Sequence, residues 1–175
     1  MPRRHPPLPS IWLMTDERMG ESLWRALARL PRGSGVVFRH YALPIRERRA
    51  LFARIARIAR ERRLLLIRAG DDWLGRGAMG AHNLRARGIR TAAAHSRREA
   101  IAAIRGGADL LFVSPIFATR SHPGKKALGR VRLGLLIRGL QVPLIALGGM
   151  NARRARSLSQ FGTHGWAAID AWTRS

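Results

Sequence analysis

Residues 108–119 read Ala108-Asp-Leu-Leu-Phe-Val-Ser-Pro-Ile-Phe-Ala-Thr119, and residues 142–150 read Val142-Pro-Leu-Ile-Ala-Leu-Gly-Gly-Met150. Each is a short, continuous apolar run, not a period-two alternation. That is the pattern of a strand buried on both faces of a parallel sheet. A helical pattern, Val131 to Leu140, lies between them. Outward from this pair the same kind of run recurs, giving eight strand candidates: Ile11–Thr15, Gly35–Tyr41, Leu64–Ala69, Gly80–Leu84, Thr91–Ser96, Asp109–Ile116, Val142–Gly149 and Gly165–Ala171.

Helical patterns separate most of these strands. Met19 to Leu30 places Leu23, Trp24, Leu27 and Leu30 on one stripe. Pro44 to Arg63 turns Leu51, Ile55, Ile58 and Ala59 inward and arginines outward. Ser96 with Glu99 forms a capping box ahead of a helix over Arg97 to Arg105, and Asn151 caps another reaching Gln160. Asp71–Ala78 and Arg85–Gly88 are too short for full helices. Eight strands alternating with helices, without a glycine-rich dinucleotide fingerprint, predict an α/β protein, a closed (β/α)8 TIM barrel. A doubly wound open sheet is the competing arrangement.

At 175 residues the chain holds one domain. It is short for this barrel, whose usual lower limit is about 200 residues. It ends soon after the eighth strand candidate, so the last barrel helix is expected to be missing. The wall left bare would be covered by a partner chain, by the N-terminal arm, or by nothing. The expected organisation is a Pro/Arg-rich arm over 1–10 and a single barrel domain over 11–175.

The charge balance is 33 Lys plus Arg against 10 Asp plus Glu, a formal +23, and every basic residue but Lys125 and Lys126 is arginine. The arginines are spread along the chain, not clustered as on a dedicated nucleic-acid face. They imply solvated helix faces and a site for an anionic ligand, most simply a phosphate, with nucleic acid attracted only non-specifically at low salt. Apolar residues at 46% suffice for a buried core. No cysteine is present, which excludes disulfides, a thiol nucleophile and a Cys-ligated zinc site. No apolar run approaches the roughly 18–20 residues of a membrane span, and the start lacks the apolar stretch of a secretory signal. A soluble, cytoplasmic protein without membrane partners is expected. The histidine spacings match no metal-ligand motif such as His-Glu-x-x-His.

Together with Phe161-Gly-Thr-His-Gly-Trp-Ala-Ala-Ile169, the two opening stretches resemble the closing half of the thiamine phosphate synthase/TenI superfamily. In that superfamily "GADY…GPIFPT", "PVVAIGGI" and "GADGVAV" strands follow one another. Leu13-Met-Thr-Asp16 resembles its opening "LVTD", and Val37-Phe-Arg-His-Tyr41 stands at its "QLREK" strand. Gly80-Ala-His82 stands at "GVH", and Ala94-His-Ser96 at a "VHS" on the fifth strand. The resemblance runs from about Ile11 to Ala171 and implies the same barrel fold.

It also implies a site. Gly148 and Gly149 are bare backbone beside a helix start, a ready seat for an anion; in the superfamily they contact the phosphate of the thiazole, with Ile169 and Asp170 at the next strand end. Thr119, Ser121 and His122 fall on the loop that takes pyrophosphate, with His122 in place of lysine. Arg39 is the one retained polar residue of strand two, where Val37 and Tyr41 replace Gln and Lys. His95 matches the general acid/base of a TenI-type thiazole tautomerase, and Ser96 is its capping neighbour and a possible substrate contact. His82 is either packing or site-lining, and His40 is expected to face the helices if Arg39 faces the barrel.

The synthase reaction needs Mg2+ on hard oxygen ligands. Where the superfamily supplies an Asn-Asp pair and a further Asp, this chain has Arg68-Ala69-Gly70 and Arg87. Asp71 and Asp72 are the nearby substitutes, if they do not merely cap a following turn. Arg68, Arg87 and Arg120 are alternative counter-ions for a diphosphate. Asp170 replaces a phosphate-contacting serine and needs an arginine beside it. The resemblance therefore implies a thiamine-biosynthesis protein acting on phosphorylated thiazole, leaning to the tautomerase, which needs His95 and no cofactor. The alternatives are a Mg2+-dependent synthase and a non-catalytic barrel binding a thiamine precursor or another anion. A homo-oligomer is possible.

Overall fold

A computed structural model describes residues 7–119 and 126–173. Eight parallel strands close on themselves in sequence order: β1 (Ile11–Met14), β2 (Gly35–Phe38), β3 (Leu65–Ala69), β4 (Gly80–His82), β5 (Ile89–Ala94), β6 (Leu110–Val113), β7 (Leu144–Leu147) and β8 (Gly165–Ala168). β8 pairs with β1 in the register Trp12↔Ala167, and this pairing, which an open sheet lacks, closes the barrel.

Five helices lie outside: α1 (Ser22–Arg29), α2 (Ile45–Glu61), α3 (Arg97–Arg105), α4 (Gly129–Ile137) and α5 (Ala152–Arg156). They are the elements their stripes and caps dictate. The Ser96 side chain accepts the Glu99 N–H at the start of α3, and the Asn151 side chain accepts the Arg154 N–H at the start of α5. The chain passes from β3 to β4 and from β4 to β5 without a helix, as their short spacing requires.

Several bounds differ from the sequence reading. β5 begins at Ile89, not at Thr91, and ends at Ala94, because the inward Ile89 completes the lowest interior layer. β2 stops at Phe38 and β8 at Ala168, so Arg39 and Ile169 stand just beyond strand ends. α1 starts at Ser22, since Glu17–Met19 form a one-turn 3-10 helix capped by Asp16. α4 begins at Gly129 and ends before Gly139, which takes a positive φ, while α5 is a short helix followed by a 3-10 turn at Ser159–Phe161.

The interior is filled by Trp12, Met14, Val37, Ile67, Phe112 and Ile145, with Trp12 edge-on to Phe112 at 5.3 Å. Gly35 makes room for this stack, because a Cβ there would overlap the Trp12 ring. Two further clusters pack helices onto the wall: α1 and α2 over β1–β3, with Phe38, Phe52 and Ile55, and α3 and α4 over β5–β7, with Leu111, Val113 and Leu133.

The residues just before β1 belong to this packing. Leu8 lies against the interior cluster, the Pro9 carbonyl accepts the Trp12 indole N–H at 2.7 Å, and the Leu8 carbonyl accepts His164 Nε2–H at 2.8 Å. After β8 comes a 3-10 turn, Asp170–Trp172, whose Trp172 stacks on Trp166 at 5.2 Å and packs against the α1 cluster. That part of the wall is thus covered from within the chain. No helix among the described residues is long and apolar enough to cross a membrane.

Candidate functional site

Side chains alternate along each strand, so residues that share parity with the interior core point into the barrel mouth where the strands end. Arg39 keeps the parity of Val37, His95 that of Ile89 and Thr91, and Ile169 that of Ala167. These ends form a cleft lined by Arg39, His95, Thr119, Gly148, Gly149, Ile169 and Asp170, together with Ser114, Pro115, Leu147, Met150 and Ala168. A second recess adjoins it, sharing Thr119, Gly149, Met150 and Asp170 and reaching Asn151 and Arg154. The loops after strands seven and eight border both, the usual place for chemistry in such barrels.

His95 is fixed twice. Its backbone N–H donates to Glu99 Oε2 at 2.9 Å, and Ser96 Oγ donates to the other carboxylate oxygen at 2.9 Å. Its Nδ1 lies 2.7 Å from the Ser114 carbonyl. A carbonyl only accepts, so Nδ1 carries the hydrogen in the neutral ring and Nε2 keeps its lone pair for the cleft.

Gly148 and Gly149 border the cleft at the end of β7, two strands from His95, at φ +94° and +60°. A Cβ on Gly148 would lie 2.8 Å from Pro115 Cα, and one on Gly149 would lie 2.5 Å from the Ala118 carbonyl. Only glycine suits both the conformation and the space. Arg154 reaches back from α5 to donate to the Gly149 carbonyl and lies 4.8 Å from the Phe117 ring centroid.

Arg39 is held by β1. Its backbone N–H donates to Thr15 Oγ1 at 3.0 Å, its Nε–H to the Thr15 carbonyl at 3.1 Å, and its Nη2 to Asp16 Oδ2 at 3.4 Å. Burial lowers its pKa, with Asp16 opposing, and a guanidinium so placed stays cationic. Asp16 also takes Arg18 bidentately, Nε at 2.6 Å and Nη2 at 2.9 Å, and that bond holds its carboxyl below the usual range. Arg18 in turn feels the charge of Asp170, which gives Asp170 an arginine neighbour.

Other expected residues lie elsewhere. Ser96 does not line the cleft, because its hydroxyl is engaged with Glu99. Arg68 alternates outward with Leu66 and donates to the Gly70 carbonyl at 2.7 Å and the Asp72 carbonyl at 3.3 Å, so it is no counter-ion at the mouth. Arg87 is exposed and does not line the cleft. Asp71 and Asp72 cap no helical turn: the chain is irregular there, and the Asp72 carboxylate pairs with buried Arg48. No group of three or more acidic or histidine side chains among the described residues is arranged to hold a metal ion. Asp71 and Asp72, the carboxylates expected near β3, are not among the residues that line the cleft. Arg120, Ser121 and His122 lie outside the described residues.

His82 points into the interior, only 4% exposed, and bonds Thr91 Oγ1 through Nδ1 at 2.9 Å, with its ring edge-on to Phe112. Burial first, and the charge of Arg39 second, push its pKa down to about 4. It is a packed neutral residue below the cleft. His40 faces the helices as expected, stacked on Phe38 and bonded to Thr15 Oγ1 at 3.0 Å.

Sequence reasoning missed Ser114, whose carbonyl lies 2.7 Å and whose hydroxyl lies 3.3 Å from His95 Nδ1, a cross-strand contact that no local motif reveals. It also missed Arg154 and Glu99, although each stands three residues after a helix cap, where a side chain returns to the strand end.

A closed parallel barrel with its cleft on the loops after strands seven and eight places the chain among the (β/α)8 barrels. The family model for thiamine monophosphate synthase matches residues 74–172, more than half the chain, and the chain belongs to that family. Thiamine-phosphate synthases of Chloroflexus aurantiacus and Geobacillus kaustophilus are 38% identical over 79 residues and 39% identical over 80. Those alignments cover 45% of this chain but only 37% and 36% of the relatives' own length. The solved thiamine phosphate pyrophosphorylase from Pyrococcus furiosus shares the fold, with a TM-score of 0.78 at 23% identity over 96% of this chain and 88% of that one.

Proposed function

We propose that the cleft binds thiazole phosphate and that His95 moves a proton on the thiazole, the reaction of a TenI-type tautomerase. The observation that carries this reading is the His95 geometry: Nδ1–H held by the Ser114 carbonyl, with Nε2 free at the rim of the cleft that Gly148 and Gly149 border. A neutral imidazole so fixed takes a proton from one carbon and returns it to another without a change of tautomer at Nδ1. The glycine backbone at the end of β7 seats the phosphate, and Arg39 supplies the cationic field.

A second reading, a synthase joining hydroxymethylpyrimidine diphosphate to thiazole phosphate, is favoured by the names of the relatives. Under either reading the chain is an enzyme of thiamine biosynthesis, and a small phosphorylated thiazole is its partner. One experiment separates the two. The purified protein is given thiazole phosphate and hydroxymethylpyrimidine diphosphate with and without magnesium, and in parallel the non-aromatic thiazole tautomer in D2O, followed by proton NMR. The proposal expects deuterium incorporation that His95→Ala abolishes while thiazole phosphate still binds. Magnesium-dependent thiamine phosphate without exchange would establish the synthase instead.

A further inference from the structure

Arg39, just beyond the end of β2, is the arginine among the described residues that line the cleft, and its surroundings explain how its charge stays available. Of its five N–H donors, Nε–H is taken by the Thr15 carbonyl and Nη2 makes one long contact, 3.4 Å, to Asp16. No described residue engages Nη1. The carboxylate that ought to capture this arginine is already held by another: Arg18 grips Asp16 through Nε, Nη2 and its own backbone N–H, at 2.6, 2.9 and 3.1 Å. A carboxylate shared between two guanidiniums neutralises neither fully. Arg18 stands on the outer side of Asp16, 54% exposed, whereas Asp16 and Arg39 are only 17% and 20% exposed.

We propose that Arg18, acting through Asp16, is a positioning residue that keeps Arg39 extended over the cleft with Nη1 offered to an anionic group of the substrate. The inference rests on the reading of this cleft as an anion-binding site. Without Arg18, the Asp16 carboxylate has Arg39 as its one close guanidinium. The 3.4 Å contact then tightens, draws Arg39 toward β1 and cancels its charge where the ligand needs it. Arg18 touches no ligand in this account.

The test is a double-mutant cycle read by calorimetric binding of inorganic pyrophosphate, thiazole phosphate and the unphosphorylated hydroxyethylthiazole to wild type, Arg18→Ala, Arg39→Ala and the double variant. Arg18→Gln accompanies the set in case the alanine variant melts early. Arg18→Ala is expected to weaken the anions about five- to tenfold in the wild-type background and to have no effect once Arg39 is alanine, because the two act in series. The neutral thiazole is expected to bind all four proteins alike, which a general loosening of the mouth would not allow. Equal losses in both backgrounds, no loss at all, or an equal loss for the neutral thiazole would overturn the proposal. Wild type that binds pyrophosphate but not thiazole phosphate would sink the thiazole reading alone, since the cycle then runs on pyrophosphate. Wild type that binds neither anion would overturn both.

Discussion

Gly149 shows how narrowly single residues are constrained at this rim. It stands at φ +60° with the Ala118 carbonyl 2.5 Å from where a Cβ would be, and Gly148 stands at φ +94° against Pro115. Gly149→Val would push the β6 loop from the β7 loop and narrow the seat between them. Affinity for thiazole phosphate is expected to fall at least about tenfold, a little over 1 kcal/mol, while pyrophosphate held by Arg39 weakens less; calorimetry with both anions checks this. The glycine pair was legible in the sequence, because two adjacent glycines between an apolar run and a capping asparagine mark a strand-end turn where side chains have no room. The place of Arg39 at the cleft was legible only from the resemblance. Arg68, a similar arginine at the end of the next strand, faces outward, because Leu64 and Leu66 fix the parity of β3 against the helices.

At the scale of the element, α3 shows how a helix start serves a strand end. Ser96 caps the helix, and Glu99 returns to hold both the Ser96 hydroxyl and the His95 N–H. Ser96→Ala removes the cap and one of the two hydrogen bonds on Glu99. It is expected to destabilise the protein by about 1 kcal/mol and to lower exchange at the thiazole without weakening phosphate binding; thermal unfolding and the NMR exchange rate together check both parts. The capping box was readable from Ser96 and Glu99 alone. That it anchors His95, and that the Ser114 carbonyl selects the tautomer, was not. The second contact crosses from β5 to β6, and local spacing carries no information about which strand is the neighbour.

At the scale of the whole molecule, buried histidines set the response to acid. His82 has a folded pKa near 4 against an ordinary 6.5, so below 6.5 the unfolded chain binds a proton that the folded chain refuses. Stability is full above that range, falls as pH drops through the window between 6.5 and about 4, and loses at most about 3 kcal/mol there. Burial lowers the pKa of His40 as well and acts in the same sense. Asp16 and Glu17, whose pKa values lie below their ordinary ones, lose their contribution only at lower pH, as they protonate. The midpoint of thermal unfolding is expected to fall between about pH 7 and 4.5, and His82→Gln, which keeps a partner for Thr91, to flatten the slope. Coincident slopes for the two proteins would remove His82 as the titrating group.

The sequence by itself determined the fold class. Apolar runs a few residues long, separated by capped and striped helices, require a parallel sheet buried on both faces, and it is the β1–β8 pairing that makes this sheet a barrel and not its open rival. Tertiary structure alone decided which charges reach the cleft. It turned Arg68 outward and Arg39 inward, tied Asp72 to Arg48, and set both Arg18 and Arg39 against Asp16. Apolar periodicity is a local property written along the chain. The direction and pairing of a charged side chain depend on neighbours brought in from other strands, and these exist only once the barrel has closed.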